Sequence, residues 1–543
     1  MNDWTEFVDL WKTVGLRLSS TSLWWKVPLA YVTWRVLLFV GWALLFSREG
    51  LLFHLQKEAI LFVKRTPVLR LVYQQQVAKM KASLRKNKSS EEGRPRVIPE
   101  HGVDKRELLQ RMQDAKRQDC RWDQGKTFGF VYHGDEEHVK FLNEVYAMYS
   151  QTNPLHLTAF PSVQKMEQEV VRMTISMMHG DEHCCGSTTS GGTESLLLAC
   201  KAYRDYARRT RGITDPEILL PRSAHAAFVK AGHYFGMTCR FFEVGPDGRA
   251  DVADMRRKFN KRVVMVVGSA PSYPHGVIDP IPAMSAFALS KGVPMHVDGC
   301  LGGFMVPWVK RLEETGKLST RQIPEFDFSL PGVTSISADL HKYGFSAKGA
   351  STIMYRSEEI MREQFSVFPD WSGGLYGSPT IMGSRPGALI ATAWAALMYT
   401  GQDGFMETAR KIKAATDELI RGINNVDGLR VISNPDVTVF AFESVDRNVD
   451  IFQVAEYFKT KDFHMERQQY PNAIHFTVTY QHTIPGVVER ILKELRTAVE
   501  YIRAHPEEFA KGDAPMYGLA ARLPDRSCID DFISEALMNM LSF

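Results

Sequence analysis

Two lysines stand six residues apart in "SADLHKYGFSAKG" (337–349), Lys342 and Lys348. Lys342 follows a run of small and β-branched residues, "VTSISAD" (333–339), and sits directly after His341. A lysine at the end of a strand, withdrawn from water, can give up its proton and attack a carbonyl, which is what Schiff-base chemistry requires. Upstream, "GSTTSGGTES" (186–195) opens onto an apolar helix. A helix start offers unpaired N–H groups to an anion, and glycines such as Gly191 and Gly192 let the backbone approach closely. Ser190, Thr193 and Thr189 add hydroxyls. The run lacks the lysine of a Walker loop and the G-x-G-x-x-G of a dinucleotide fold, and simple helix capping would account for the same residues. In "HVDGC" (296–300), Asp298 stands just past a predicted strand, at the edge where open α/β sheets hold ligands. On its own it is equally suited to capping, to a metal or to a heterocyclic cation, and no cluster of His or carboxylates beside it has metal spacing.

The order of these parts narrows the chemistry. A phosphate loop, then a strand-end aspartate, then a strand-end lysine are three of the groups needed to hold pyridoxal phosphate. The loop takes the phosphate, the carboxylate the pyridinium nitrogen and the lysine the aldehyde. A ring to stack on the pyridine is supplied by His225 in "SAHAAFVKAG" (223–232).

Such residues need strands that end where they stand. "RVVMVVGSA" (262–270), "VPMHVDGC" (293–300), "VTSISAD" (333–339) and "ASTIMY" (350–355) read as short strands, and helical patterns such as "ESLLLACKAYRDYARR" lie between strands. Alternation of this kind predicts a mostly parallel, three-layer α/β sheet. Past Gly404 the texture changes. A long helical stretch is followed by "RVISN", "VTVFAFE" and "AIHFTVTY" as strands and by a further helix, a smaller α+β domain.

With "TNPLH" (152–156), "TSGGTES" (189–195), "AHAAFVKAG" (224–232), "PHGVIDP" (274–280), "HVDGCLGGF" (296–304), "GVTSISADLHKYGFSAKG" (332–349) and "GSPTIMGSRPG" (377–387), the chain resembles the fold-type-I, pyridoxal-phosphate-dependent group II decarboxylases, and among them the sphingosine-1-phosphate lyase branch. The resemblance implies a large domain with a mainly parallel seven-stranded sheet and a small C-terminal α+β domain. It implies pyridoxal 5'-phosphate as cofactor, linked to Lys342, with Asp298 on the ring nitrogen and His225 on the ring face. Ser190, Gly191, Gly192, Thr193 and His341 would hold the cofactor phosphate. Tyr132, His156, Lys348 and Tyr376 would hold a substrate phosphate, Tyr376 coming from the partner subunit of a homodimer. The implied reaction is a retro-aldol C2–C3 cleavage of phosphorylated sphingoid bases into a long-chain aldehyde and phosphoethanolamine. The base for the C3 hydroxyl stays open among Lys342, Lys348, a tyrosine such as Tyr273 and the substrate's own phosphate. Two departures stand near the site: Gly299 replaces an alanine after the Asp, and Leu340 replaces a threonine before the His. Arg385 in "GSRPG" would either reach the active site or fix its loop.

Composition agrees with a large enzyme. The 543 residues are 44% hydrophobic and 24% charged, with a net charge of +4, which gives no reason to expect nucleic acid. Seven scattered cysteines without C-x-x-C pairs argue against a disulfide framework or structural zinc, and for a reducing compartment. The N-terminus differs. "VPLAYVTWRVLLFVGWALLF" (27–46) has the roughly 20 apolar residues a bilayer crossing needs, with Arg35 its one charge and Trp24, Trp25 and Trp42 suited to interfacial depths. An amphipathic or buried helix is the alternative. Lys and Arg dominate the flank after the span, which predicts that the catalytic part lies in the cytosol, and the resemblance implies a single pass of the endoplasmic reticulum membrane with the short N-terminus lumenal. The expected organisation is an anchor over 1–60, a basic linker and arm over 61–120, a cofactor-binding domain over 121–403 and the small domain over 404–543.

Overall fold

The structure, a computed structural model, describes residues 95–156, 158–318, 322–509 and 527–541. The expected span at 27–46 lies outside these residues, and among the described residues no helix is long and apolar enough to cross a membrane. The chain divides into one unit of residues 1–111 with 518–543 and a second of 112–517. In the first, the described residues are the non-helical stretch 95–104, the start of helix Lys105–Lys116, which has no buried side chain, and helix Ser527–Leu541.

The second unit carries a seven-stranded sheet in the order β1-β7-β6-β5-β4-β2-β3. Its strands are β1 (Cys185–Thr189), β2 (Glu217–Pro221), β3 (Thr238–Phe242), β4 (Val263–Ser269), β5 (Met295–Asp298), β6 (Val333–Ala338) and β7 (Ser351–Tyr355). β7 runs antiparallel to both its neighbours, while the pairings from β6 through β3 are parallel. Strands buried on both faces need apolar residues at every position, which explains why β4 reads "VVMVVGS" with no alternation. In β2, Leu219 faces one hydrophobic cluster and its neighbours Ile218 and Leu220 the other, so the sheet is the wall between two cores.

β1 is different: "CGSTT" is polar yet largely buried. Its hydroxyls are satisfied by specific partners, Ser187 by Gln364 (2.9 Å), Thr188 by Glu167 (2.6 Å) and Thr189 by Ser195 (2.7 Å). The first half of the expected phosphate loop is therefore a strand.

β5 and β6 are in register with Asp298 opposite Ser337, so their C-terminal ends lie side by side. β1, antiparallel to an antiparallel strand, ends at the same edge. The segments after β1, β5 and β6 thus leave one rim of the sheet.

Two smaller sheets follow: a hairpin of β8 (Ser366–Phe368) and β9 (Tyr376–Ser378), and a four-stranded antiparallel sheet of β10 (Leu429–Val431), β11 (Val439–Ser444), β12 (Glu466–Gln468) and β13 (Ala473–Thr477), ordered β10-β11-β13-β12. A helix of 38 residues, Gly387–Asn424, connects them across the change of texture near Gly404. It is interrupted at Gly401 (φ 58°, ψ 174°), a conformation that favours glycine.

Candidate active site

The segment after β1 enters helix α1 (Gly192–Arg211) through Ser190 and Gly191. Gly191 has φ 154°, and a side chain there would meet the His341 ring at 3.3 Å. Glu194 folds back over the helix start, accepting from the Ser190 N–H at 2.6 Å and from the Ile381 N–H at 3.1 Å. The first-turn N–H groups, those of Gly192 and Thr193 among them, have no intrahelical acceptor and mark the positive end of the helix. Thr189 takes no part there: its hydroxyl meets Ser195, whose own reaches Ser351 at 2.9 Å, tying β1, α1 and β7 together.

β5 ends on Asp298, 8% exposed, whose Oδ1 accepts from the Cys300 N–H at 3.0 Å. Its Oδ2 has no hydrogen-bond partner among the described residues. His296 lies beneath it in the core, between the hydroxyls of Ser335 (2.8 Å) and Ser337 (3.3 Å). Burial pushes that imidazole down to about 4, so it is a neutral ring held between the two serines.

After β6 the chain turns through Asp339, Leu340, His341 and Lys342. Lys342 Nζ lies 2.9 Å from Oδ2 of Asp339, a carboxylate only 2% exposed. Burial works to lower the Lys342 ammonium, but the Asp339 charge overrides it and holds the lysine above its ordinary range. His341 accepts the Ala350 N–H on Nδ1 at 3.1 Å and brings Nε2 to 3.7 Å from Asp339. Burial, with the two lysine charges adding and Asp339 opposing, brings it down to about 4. With Nδ1 accepting, the proton is on Nε2, so His341 can donate to an anion while uncharged. Leu340, which stands where the resemblance would have a threonine, is fully buried in the core.

Tyr132 and Lys348 flank Lys342. Tyr132 is buried, edge-on to Tyr343 at 4.8 Å, and burial raises its phenol to about 12. Lys348 Nζ lies 4.9 Å from the Tyr132 ring centroid and 3.4 Å from the His341 carbonyl. It has no carboxylate partner among the described residues. Loss of hydration, with the Lys342 charge adding, lowers it to about 8. Tyr273 stacks on His475 of β13 at 3.9 Å, and burial raises its phenol as well.

The other expected residues stand further out. His225 is exposed just before helix α2 (Ala227–Phe235), its Nδ1 accepting from the Ala227 N–H at 3.1 Å. His156 is exposed in a turn organised by Asn153, whose side chain accepts from the Leu155 and Arg385 N–H groups, each at 3.1 Å. Arg385 is bidentate on Glu167, which also holds Thr188, and so fixes this loop. Tyr376 opens β9, 37% exposed and edge-on to Trp371. No contact joins His156 or Tyr376 to the Lys342 cluster within this chain's described residues.

The donor set fits pyridoxal phosphate. The helix start with Thr193 and neutral His341 suits a phosphate, the unpartnered Oδ2 of Asp298 suits a protonated ring nitrogen, and Lys342 supplies the amine. The residue that sequence reading passed over is Asp339. Its signal was a carboxylate three residues before the lysine in the turn that ends β6, and its Oδ1 is buried without a partner.

Comparison with known proteins agrees with this choice of cofactor. The profile of the pyridoxal-dependent decarboxylase conserved domain matches residues 89–445. A sphingosine-1-phosphate lyase of Arabidopsis thaliana is 44% identical, over 82% of this chain and 81% of that protein. Sphingosine-1-phosphate lyase 1 of Rattus norvegicus is 37% identical over 95% and 90% respectively. The solved structure of a Burkholderia pseudomallei sphingosine-1-phosphate lyase is 41% identical, covers 77% of this chain and 95% of that one, and superposes with a TM-score of 0.72. Glutamate decarboxylase of Lactobacillus brevis, at 17% identity and a TM-score of 0.66, shares the fold.

Proposed function

The chain belongs to the pyridoxal-dependent decarboxylase family and, within it, to the sphingosine-1-phosphate lyases, and on that footing we propose how its residues divide the work of cutting a phosphorylated sphingoid base. The protein is a pyridoxal-phosphate-dependent carbon–carbon lyase of sphingolipid degradation. It breaks the C2–C3 bond of sphingosine 1-phosphate or dihydrosphingosine 1-phosphate and releases a long-chain aldehyde and phosphoethanolamine.

Bound cofactor supplies the electron sink for the C2–C3 bonding pair. Lys342 would hold the cofactor through its amine. Asp298, buried and negative, keeps the ring nitrogen protonated. His225 covers the ring face, and Ser190, Gly191, Gly192, Thr193 and His341 hold the cofactor phosphate. Lys348 grips the substrate phosphate together with Tyr132, His156 and Tyr376. The observation that carries this division is the contrast between the lysines: Lys342 is ion-paired to Asp339 at 2.9 Å, whereas Lys348 lies over the Tyr132 ring with no acid to answer it among the described residues. With Lys342 paired to Asp339 and Lys348 a cation, the substrate's own phosphate is left as the acceptor for the C3 hydroxyl proton.

Three wider readings go with this one. The hairpin β8–β9 exposes Val367, Phe368, Trp371, Leu375 and Tyr376, an apolar projection that a monomer would leave in water, and this supports a homodimer in which Tyr376 enters the partner's site. Residues 27–46 anchor the chain in the endoplasmic reticulum membrane as a single pass, the short N-terminus lumenal and the catalytic part cytosolic, which suits a substrate whose tail partitions into lipid. Residues 121–403 form the cofactor-binding domain and 404–543 the small domain.

The test is a substrate panel. Purified chain loaded with pyridoxal phosphate is incubated with a phosphorylated sphingoid base and, separately, with aromatic and acidic amino acids. Aldehyde with phosphoethanolamine from the first is expected. Carbon dioxide from an amino acid, with no aldehyde from the lipid, would make the chain a decarboxylase.

A further inference from the structure

Asp339 is a costly residue to bury. It is 2% exposed, its Oδ2 meets Lys342 at 2.9 Å, and its Oδ1 is buried with no hydrogen-bond partner. A carboxylate in such a place needs positive groups packed against it. Two are present. One is the Lys342 ammonium. The other is the first turn of the 20-residue helix α1: a Cβ on Gly192 would lie 2.8 Å from both Asp339 oxygens, so the carboxylate is packed against the positive helix end.

The groups facing Lys342 come from four segments. Asp339 and His341 share its turn, and Lys348 follows on the same loop. Cys300 comes from the turn after β5, and Tyr132 and Tyr273 from the segments around 132 and after β4. His341 is neutral, Lys348 is a cation, and burial keeps Tyr132, Tyr273 and Cys300 protonated. Asp298 acts on Cys300 from the end of β5. Asp339 is the carboxylate in ion-pair contact with Lys342 among the described residues.

Carbon–carbon cleavage leaves a need for a proton. The C3 hydroxyl gives one up, the bonding pair stays on the C2 side, and C2 must gain a hydrogen before phosphoethanolamine can leave. We propose that Asp339 is a positioning residue for this step: it holds Lys342, once the substrate amine has taken its place, as the proton-bearing group that delivers a hydrogen to C2. The Nζ–H bond breaks with its pair remaining on nitrogen, and the pair left by the C2–C3 bond forms the new C2–H bond. The proton lost at the C3 hydroxyl and the one gained at C2 balance, with no oxidant or reductant. Lys342 leaves the step as a neutral amine, the form needed to reattach to the cofactor and expel the product. The inference rests on the lyase reading above.

Asp339→Asn keeps the size of the side chain and removes its charge. In the cofactor-loaded enzyme, the pH midpoint of the visible absorbance of lysine-bound cofactor is expected to fall by about one unit or more, because the neighbouring anion is gone. kcat is expected to fall by about tenfold or more with little change in KM, and Asp339→Glu should recover part of both effects. A merely structural residue would not move the absorbance midpoint. If Asp339→Asn shows wild-type midpoint and kcat, the proposal is overturned. If Asp339→Asn fails to fold or to hold cofactor, Asp339→Glu decides: cofactor held with a near-wild-type midpoint supports the charge role, and a colourless Glu variant rejects it in favour of packing. The absorbance readout needs only cofactor, so it stands even for an enzyme with no activity on the lipid, whereas failure of the lyase reading appears as wild-type protein that makes no aldehyde.

Discussion

Replacing Lys348 with methionine removes a charge while keeping an unbranched side chain beside Tyr132. If Lys348 grips the substrate phosphate, the loss is one charge-assisted hydrogen bond, about 1.5–3 kcal/mol. The phosphate is shared with other groups, so the lower part of that range applies, roughly a tenfold rise in KM. The pH dependence sharpens the test. Loss of hydration and the Lys342 charge bring Lys348 to about 8, so it is charged below that pH and neutral above it. Wild-type KM should therefore rise as pH passes upward through about 8, while Lys348→Met should lack this rise. Both should improve as the substrate phosphate takes its second charge near pH 6, about the usual value for such a group, and the variant should improve less. Initial-rate kinetics from pH 6 to 9.5, with absorbance recording the bound cofactor, provide the assay. A variant with wild-type KM at pH 7 and the same rise above pH 8 would show that Lys348 does not meet the phosphate. A variant that loses the visible cofactor band would place Lys348 in cofactor binding instead.

Gly192→Ala puts a methyl 2.8 Å from the Asp339 oxygens and from Cys300 Sγ, and is expected to destabilise the fold by about 1–3 kcal/mol in urea unfolding while weakening cofactor binding. Arg385→Leu leaves Glu167, 14% exposed, without its guanidinium; a loss of about 3 kcal/mol is expected, moderated by the bonds Glu167 keeps to Thr188. Subunits carrying Lys342→Ala, mixed and reassembled with subunits carrying Tyr376→Phe, should recover activity that neither variant has alone, because one composite site then has both residues. No recovery in dimers shown to be mixed would place Tyr376 outside the partner's site.

The large sheet was readable because its buried strands leave continuous apolar runs, and Asp298 and Lys342 because each follows such a run directly. The reversed direction of β7 was not readable. "STIMY" is buried whichever way it runs, and only its pairing with β1 and β6 sets the sense. Thr189 looked like a phosphate donor because a hydroxyl in a glycine-rich stretch has no visible partner in sequence; Ser195, which binds it, is on the following helix. Tyr273 and His475 stack although about 200 residues separate them, a pairing local pattern cannot supply. Asp339 was overlooked for a related reason. A single carboxylate after "SISA" reads as a turn former, and its weight comes from burial and from the approach of Lys342 and Gly192, both products of the folded rim.

The division of labour between the two lysines is tested most directly by covalent mapping. Cofactor-loaded protein is reduced with borohydride, digested and analysed by mass spectrometry. Pyridoxyl phosphate should be found on Lys342 and absent from Lys348. Cofactor mass on Lys348, or on neither lysine of a coloured protein, would contradict the assignment on which the whole site is built.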